Sequence, residues 1–324
     1  MILAGDIGGT KTVLATFGEG LAQVRTQEFK SADFASLEAV IDAFAPERVT
    51  AACFGVAGPV IGDSAKITNL PWTIATPSLS QRLGDARVTL LNDLQATAFG
   101  MLALPADKFA VLQAPTNAVS DGTIAVIAPG TGLGEAVLVS VGGEYRALPS
   151  EGGHADFAAM TDDEFELVRF LRKRYGDHVS NERVLCGAGI GDLYSFERER
   201  SNAPEPAWLA QQIASGDRNA AVSRAAVAGT DPCCISALDR FAALLGAEAS
   251  NLALRSLALG GVVLGGGIPP KVLPILQRGG LIERFNAKGR FSNWTRALGV
   301  RVALEPRAAL LGAAHHATTK DHAQ

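Results

Sequence analysis

The chain carries only four cysteines in 324 residues, Cys53, Cys186, Cys233 and Cys234. None has the Cys-x-x-Cys spacing of a zinc site, and the one adjacent pair makes a poor structural disulfide. They read as buried thiols in a reducing compartment. Positive charge is not in surplus either. The net charge is −4 and no long basic run occurs, which argues against nucleic acid as a partner. The most apolar stretches are interrupted by Glu248 and Arg255, so no membrane span is expected. The first residues enter an apolar strand pattern without a charged leader or cleavage site. No signal peptide is therefore expected, and the reading is cytoplasmic. No short-period repeat is present.

What the chain has is glycine, 35 residues of it, and enough length for two domains. Two glycine turns are alike. Ile2-Leu3-Ala4-Gly5-Asp6-Ile7 runs into Gly8-Gly9-Thr10 and then Lys11-Thr12-Val13-Leu14. Ala128-Pro129 runs into Gly130-Thr131-Gly132-Leu133-Gly134, and then Ala136-Val137-Leu138-Val139. Each is strand, turn, strand. Glycine lets backbone approach a ligand closely, and the N–H groups of such turns form anion-binding nests. Two of them suggest two halves closing on one polyphosphate. Commoner phosphate motifs do not fit. Counting from Gly5, a P-loop needs glycine where Thr10 stands, and the Gly-x-Gly-x-Gly of the second turn leads into a strand, not a helix.

The pattern predicts three strands within 2–30 with a turn at 18–20. A helix over 34–44, a strand over 49–56, a helix over 77–84, a strand over 88–91 and a helix over 93–104 follow. That βββαβαβα order points to an α/β domain with a mixed sheet. The second half restarts with strands over 124–128, 136–140 and 145–148. Helices are expected over 163–175, after Glu182 and over 233–259. A strand over 262–264 ends in Gly265-Gly266-Gly267, and a last strand and helix cover 300–304 and 307–317. Segment 197–206 reads as a surface loop, and the polar tail 318–324 as frayed.

Polar residues collect at the ends of these elements. Asn92-Asp93 stands where a strand ends and a helix begins, the position both of a helix cap and of a carboxylate at a ligand cleft. Glu151-Gly152-Gly153-His154 would be a metal pair on a helix, but two glycines disfavour a helix and leave a loop presenting a carboxylate and an imidazole. Ser180-Asn181-Glu182 has the chemistry of a helix start, with Ser180 as cap. Thr68-Asn69-Leu70-Pro71-Trp72 is a polar loop with an aromatic residue. Together they supply the donors and acceptors that a polyhydroxylated sugar needs.

The ordered motifs GDIGGTKT, TNLPW, LNDLQATA, APGTGLG, EGGHADF, VSNERVLCG and LGGGIPP, spanning residues 5–270, resemble those of the bacterial ATP-dependent glucokinases of the hexokinase–actin-like superfamily. EGGHADF and NERVLCG are the specific ones, whereas DIGGTK is shared with other sugar kinases. The resemblance implies an α/β, two-domain actin-like (ribonuclease H-like) ATPase fold with a cleft between a small and a larger domain. The small domain would be 1–104 plus 305–324, and the large one 105–304. It implies transfer of the ATP γ-phosphoryl group to the 6-hydroxyl of D-glucose, with Asp93 as catalytic base. Asn69, Asn92, Asp93, Glu151, His154 and Glu182 would bind sugar. Asp6, Gly8, Gly9, Thr10, Gly130, Thr131, Gly132, Gly265, Gly266 and Gly267 would serve ATP, with Asp6 touching Mg²⁺ through water. A homodimer is expected. The related ROK kinases carry a cysteine-rich zinc motif after their histidine. Here no cysteine follows His154 until Cys186, so no zinc is expected. Lys11 replaces an asparagine of some members, which leaves its role open. Alternatives are a kinase for fructose, mannose or an N-acetylated sugar, and a sugar-sensing regulator without catalysis. ROK-like repressors carry an N-terminal DNA-binding extension, and with four residues before Gly5 none is expected here. An actin-like ATPase or chaperone would leave Glu151, His154 and Glu182 without a task.

Overall fold

A computed structural model describes residues 1–67, 70–117 and 119–319. The chain divides into two compact units, one of residues 1–108, 147–149 and 305–324, the other of 109–146 and 150–304.

The first unit is built on β1 (Ile2–Ile7), β2 (Lys11–Phe17), β3 (Gln23–Lys30), α1 (Leu37–Phe44) and β4 (Ala51–Val56). After a small antiparallel sheet of β5 (Val60–Ile61), β6 (Ser64–Lys66) and β7 (Thr73–Ala75) come α2 (Thr76–Arg82), β8 (Arg87–Asn92) and α3 (Asp93–Ala103). The main sheet has the order β3-β2-β1-β4-β8. Strand β1 pairs antiparallel with β2 and parallel with β4, which is parallel to β8. Strand β4 is buried along its whole length, as its unbroken apolar run requires. The small sheet has no counterpart in the sequence pattern, because its strands are only two or three residues long. Trp72 ends the loop before β7, fully buried with Nε1 donating to the Phe34 carbonyl.

The C-terminal helix Ala308–Thr318 packs on α3 through residues without bulk. A Cβ on Gly100 would lie 2.0 Å from the Ala308 carbonyl oxygen, and one on Gly312 1.8 Å from that of Ala96. Gly55 of β4 does the same beneath α3, since its Cβ would meet that of Ala96 at 2.7 Å. Glycine at these three places lets α3 lie directly on the sheet and on the C-terminal helix, which fixes where Asp93 stands.

The second unit repeats the plan. Its strands are β9 (Phe109–Gln113), β10 (Ile124–Pro129), β11 (Leu133–Val141) and β12 (Glu144–Ser150). Helices α4 (Asp162–Tyr175), α5 (Gly187–Ser201), α6 (Ala207–Ser215), α7 (Arg218–Val227) and α8 (Pro232–Ser256) follow. Then come β13 (Gly261–Leu264), three short helices, α9 (Leu273–Leu276), α10 (Gly280–Asn286) and α11 (Ser292–Ala297), and β14 (Val300–Ala303). The sheet order is β12-β11-β10-β13-β14-β9. Its first five places match the order of the other unit, again with an antiparallel opening pair and two parallel neighbours. β9 adds an antiparallel edge strand.

One expectation fails here, and two helices were not anticipated. Residues 197–201 are not loop but the last turns of α5, where Glu197 is buried beside Arg240, with Oε1 accepting from Nε at 2.8 Å. An ion pair satisfies that charge, so a charged run need not face solvent. Helices α6 and α7 also went unread, although Asp217 caps α7 by accepting from the N–H groups of Asn219 and Ala220.

Candidate functional site

In the first unit, the turn between β1 and β2 is a tight hairpin in which the Gly8 N–H donates to the Lys11 carbonyl at 3.0 Å. Ser31 braces it. Its buried hydroxyl donates to the Gly8 carbonyl at 2.8 Å and meets the Thr12 hydroxyl at 3.0 Å, while its N–H donates to the Thr10 carbonyl. Thr10 is exposed at the tip. Asp6, on β1 just before the turn, is partly buried. Burial raises its carboxyl pKa above the ordinary value, the negative charge of Asp93 raises it further, and Lys11 pulls the other way. Lys11 itself extends to Glu28, 3.2 Å away.

Asn92 and Asp93 stand together at the start of α3. Asn92 is the cap. Its Oδ1 accepts from the Leu94 N–H at 2.9 Å, and Gln95 Oε1 accepts from the Asn92 N–H, completing a capping box. Its Nδ2 donates to the Gly58 carbonyl. Asp93 is the first residue of α3, and its Oδ1 accepts from the Leu94 N–H at 2.8 Å. The helix start therefore does not depend on Asp93 for its cap. Asn69 lies outside the described residues.

In the second unit, Glu151, His154 and Glu182 come together. The 152–154 segment is a single 3-10 turn rather than an α-helix, as its glycines require. His154 lies between two carboxylates: its Nε2 is 3.9 Å from Glu151 Oε2, and its Nδ1 is 4.0 Å from Glu182 Oε1. The two loops are stitched by backbone bonds, Asn181 N–H to Ala155 carbonyl and Phe157 N–H to Val179 carbonyl, and by a 3.1 Å pair between His178 and Asp156. Ser180 precedes the 181–183 turn but makes no side-chain cap bond, so the helix-start reading of that residue does not hold. Glu182 has a further bond, because its Oε2 accepts from the Leu133 N–H at 2.9 Å. A Cβ on Gly132 would stand 2.5 Å from that oxygen. The Gly130–Gly132 turn and Glu182 are thus one assembly.

The same turn borders a cavity of about 910 Å³, large enough for a nucleotide. Gly130, Thr131 and Gly267 line it, together with Gly187 and Ala188 at the start of α5, and Asn219, Ser223 and Arg224 of α7. The Gly187 N–H donates to the Gly130 carbonyl at 2.9 Å, which places the N-terminus of α5 beside the turn. The Gly265-Gly266-Gly267 turn closes against β10. Gly265 N–H donates to the Ile127 carbonyl, and Gly266 has φ +79° with its would-be Cβ 2.5 Å from the Pro129 carbonyl oxygen. No other residue fits there. Sequence reasoning missed the α5 and α7 contributions. The Gly187-Ala188-Gly189 start and the Asp217 cap were the available signals, but small residues at a helix start carry no chemistry of their own.

Paired sheets of one order, each opened by a glycine turn, define the two-domain actin-like fold, and the polar loops beside those turns point to its sugar kinases. The family model described as "Glucokinase" matches residues 3–320. The chain is 37% identical to a glucokinase of Trichormus variabilis, over 97% of this chain and 98% of that protein. It is 39% identical to a glucokinase of Synechocystis sp., over 96% of each. A crystal structure of glucokinase from an Antarctic psychrotroph superposes with a TM-score of 0.84 at 32% identity, covering 98% of both chains. The chain belongs to the glucokinase family.

Proposed function

We propose that this chain transfers the γ-phosphoryl group of ATP to the 6-hydroxyl of D-glucose, giving glucose 6-phosphate and ADP. The observation that carries this reading is the double use of Glu182. One carboxylate oxygen faces His154, and the other accepts from the N–H that follows the Gly130–Gly132 turn. A group that recognises a sugar hydroxyl is thereby tied to a turn that suits a phosphate.

Glu151, His154 and Glu182 would hold the sugar hydroxyls, the carboxylates accepting and the imidazole taking either part. Asn92 would add its amide, and Asn69 is retained as a sugar ligand on the resemblance alone. Asp93 would accept the 6-hydroxyl proton as that oxygen bonds to the γ-phosphorus and the bond to the ADP oxygen breaks. Gly8, Gly9, Thr10, Gly130, Thr131 and Gly132 would receive phosphate oxygens on N–H and hydroxyl donors, and Gly265–Gly267 the nucleoside. Phosphoryl transfer depends mainly on such positioning and charge stabilisation.

Mg²⁺ would arrive with ATP. Among the described residues, no group of three His, Cys, Asp or Glu could hold a resident metal. The donors do fit a hydrated hard cation: Asp6 would supply a carboxylate oxygen, its pKa raised first by burial and then by the charge of Asp93, a repulsion that a divalent ion would relieve. When bound it would neutralise phosphate charge. Zinc has no role in this reading. The two compact units would be the small and large domains of the fold, the protein would act in the cytoplasm, and it would assemble as a homodimer. No described helix is long and apolar enough to cross a membrane.

A coupled assay of ADP release with ATP, Mg²⁺ and a panel of glucose, fructose, mannose and N-acetylated hexoses tests the reading. Glucose should give the highest kcat/KM. A preference for another hexose would overturn the substrate assignment, and no turnover with any would overturn the kinase.

A further inference from the structure

One carboxylate of the second unit has no part in the scheme above and no ordinary reason to be where it is. Glu135 lies on β11, opposite Ile127 of β10, and is 1% exposed. As an ionised acceptor it finds no donor: both oxygens are buried without a hydrogen-bond partner. Its carboxylate lies against Gly152, where an added Cβ would be 2.2 Å from Oε2 and 3.0 Å from Ser150 Oγ. Gly152 stands between Glu151 and His154, in the turn that carries both.

The groups facing Glu135 from α8 are Glu248 and Arg255. Glu248 is equally buried. Its Oε1 pairs with Arg255 Nη2, and its Oε2 accepts from Asn251 Nδ2 at 2.9 Å. Behind them Lys288 donates to Asn251 Oδ1 at 2.6 Å and to the Ala247 carbonyl. Arg255 Nη2 is 3.7 Å from Glu135 Oε2, too far for a hydrogen bond. From the other side comes Ser150, whose hydroxyl accepts from the Gly152 N–H. One guanidinium thus serves two buried carboxyls. Burial first, and the charge of Glu248 second, push Glu135 up to about 7. With a proton, Glu135 becomes a donor, and Glu248 is the acceptor within its reach.

We infer that Glu135 is a positioning residue: its protonated carboxyl, bonded to Glu248 and seated against Gly152, sets the turn that presents Glu151 and His154. This rests on the reading of that turn as sugar-binding. Glu135 is too buried to touch a sugar itself, so it acts through the turn. Loss of its proton places two like charges together beneath Gly152 and disturbs the turn. Glucose affinity should therefore weaken as pH rises through about 7.

The test measures glucose KM, ATP KM and kcat between pH 6 and 8.5 for wild type, Glu135→Gln and Glu135→Ala, with His154→Ala as control. Glu135→Ala should raise glucose KM roughly tenfold, the scale of a modest misplacement of binding groups, with ATP KM within about twofold. Glu135→Gln mimics the protonated carboxyl. It should keep glucose KM near the wild-type low-pH value and abolish its rise with pH. If Glu135→Gln follows the wild-type pH profile, the positioning role is overturned, and this holds even if Glu135→Ala fails to fold. Unchanged glucose KM in both variants, with only melting temperature lowered, would also overturn it. Unchanged glucose KM in His154→Ala would instead remove the sugar-binding reading of the turn.

Discussion

Replacing Glu182 by Gln changes one oxygen to an amide without changing volume, and it separates recognition from helix-start chemistry. In the native chain the residue uses both oxygens, one towards His154 Nδ1 at 4.0 Å and one on the Leu133 N–H at 2.9 Å. Gln can still accept from Leu133, so the 130–132 turn keeps its anchor. What is lost is the charge. Hydrogen bonds to charged groups are worth about 1.5–3 kcal/mol and neutral ones about 0.5–1.5, a difference of roughly 1–1.5 kcal/mol per bond. At 1.4 kcal/mol per tenfold, a single sugar bond weakened in this way raises glucose KM about 5- to 12-fold. ATP KM should change by no more than about twofold, the size of a few tenths of a kcal/mol. Steady-state kinetics with each substrate varied in turn, and calorimetry with glucose alone, read both numbers. A variant with unaltered glucose binding and a lowered melting temperature would refute the reasoning and leave Glu182 as a structural residue.

Gly266→Ala forces a side chain onto a backbone at φ +79° and 2.5 Å from the Pro129 carbonyl oxygen. The left-handed conformation alone costs about 1–2 kcal/mol, so ATP KM should rise well ahead of glucose KM, as nucleotide-dependent kinetics would show. Gly312→Ala puts a Cβ 1.8 Å from the Ala96 carbonyl oxygen. Overpacking of this kind costs about 1–3 kcal/mol, to be read from denaturant unfolding. Glu135 is raised from its ordinary 4.5 to about 7, so the folded chain holds a proton that the unfolded chain has released. Stability should fall as pH rises through that window, and Glu135→Gln should flatten the dependence in melting temperature.

The glycine turns and the polar loops were readable because their residues are constrained by backbone geometry. Gly8, Gly132 and Gly266 each stand where a side chain would strike a neighbour, and such places leave a mark in sequence. The two matching strand–turn–strand openings were legible, whereas the shared order of the two sheets is a property of the fold that the pattern did not give. Contributions that depend on tertiary packing left less trace. Ser31 is a serine among others until the chain folds and sets it under Gly8. The start of α5 and the face of α7 reach the cavity only because β10 ends beside them, and Gly191 lets the two helices approach, its would-be Cβ lying 2.4 Å from Asn219 Oδ1. Glu135 reads as an ordinary strand residue, and only the burial of both its oxygens marks it.

The role of Asp93 is the point on which the mechanism stands. Asn92 supplies the cap of α3, so Asp93→Asn leaves the helix start intact and removes only the proton acceptor. Melting temperature, glucose binding by calorimetry and phosphorylation rate, measured on one preparation of each protein, decide the matter. Loss of a general base lowers turnover by about 10²–10⁴, and that fall, with melting temperature and glucose binding near wild type, is the predicted result. Near-normal turnover in Asp93→Asn would contradict the account.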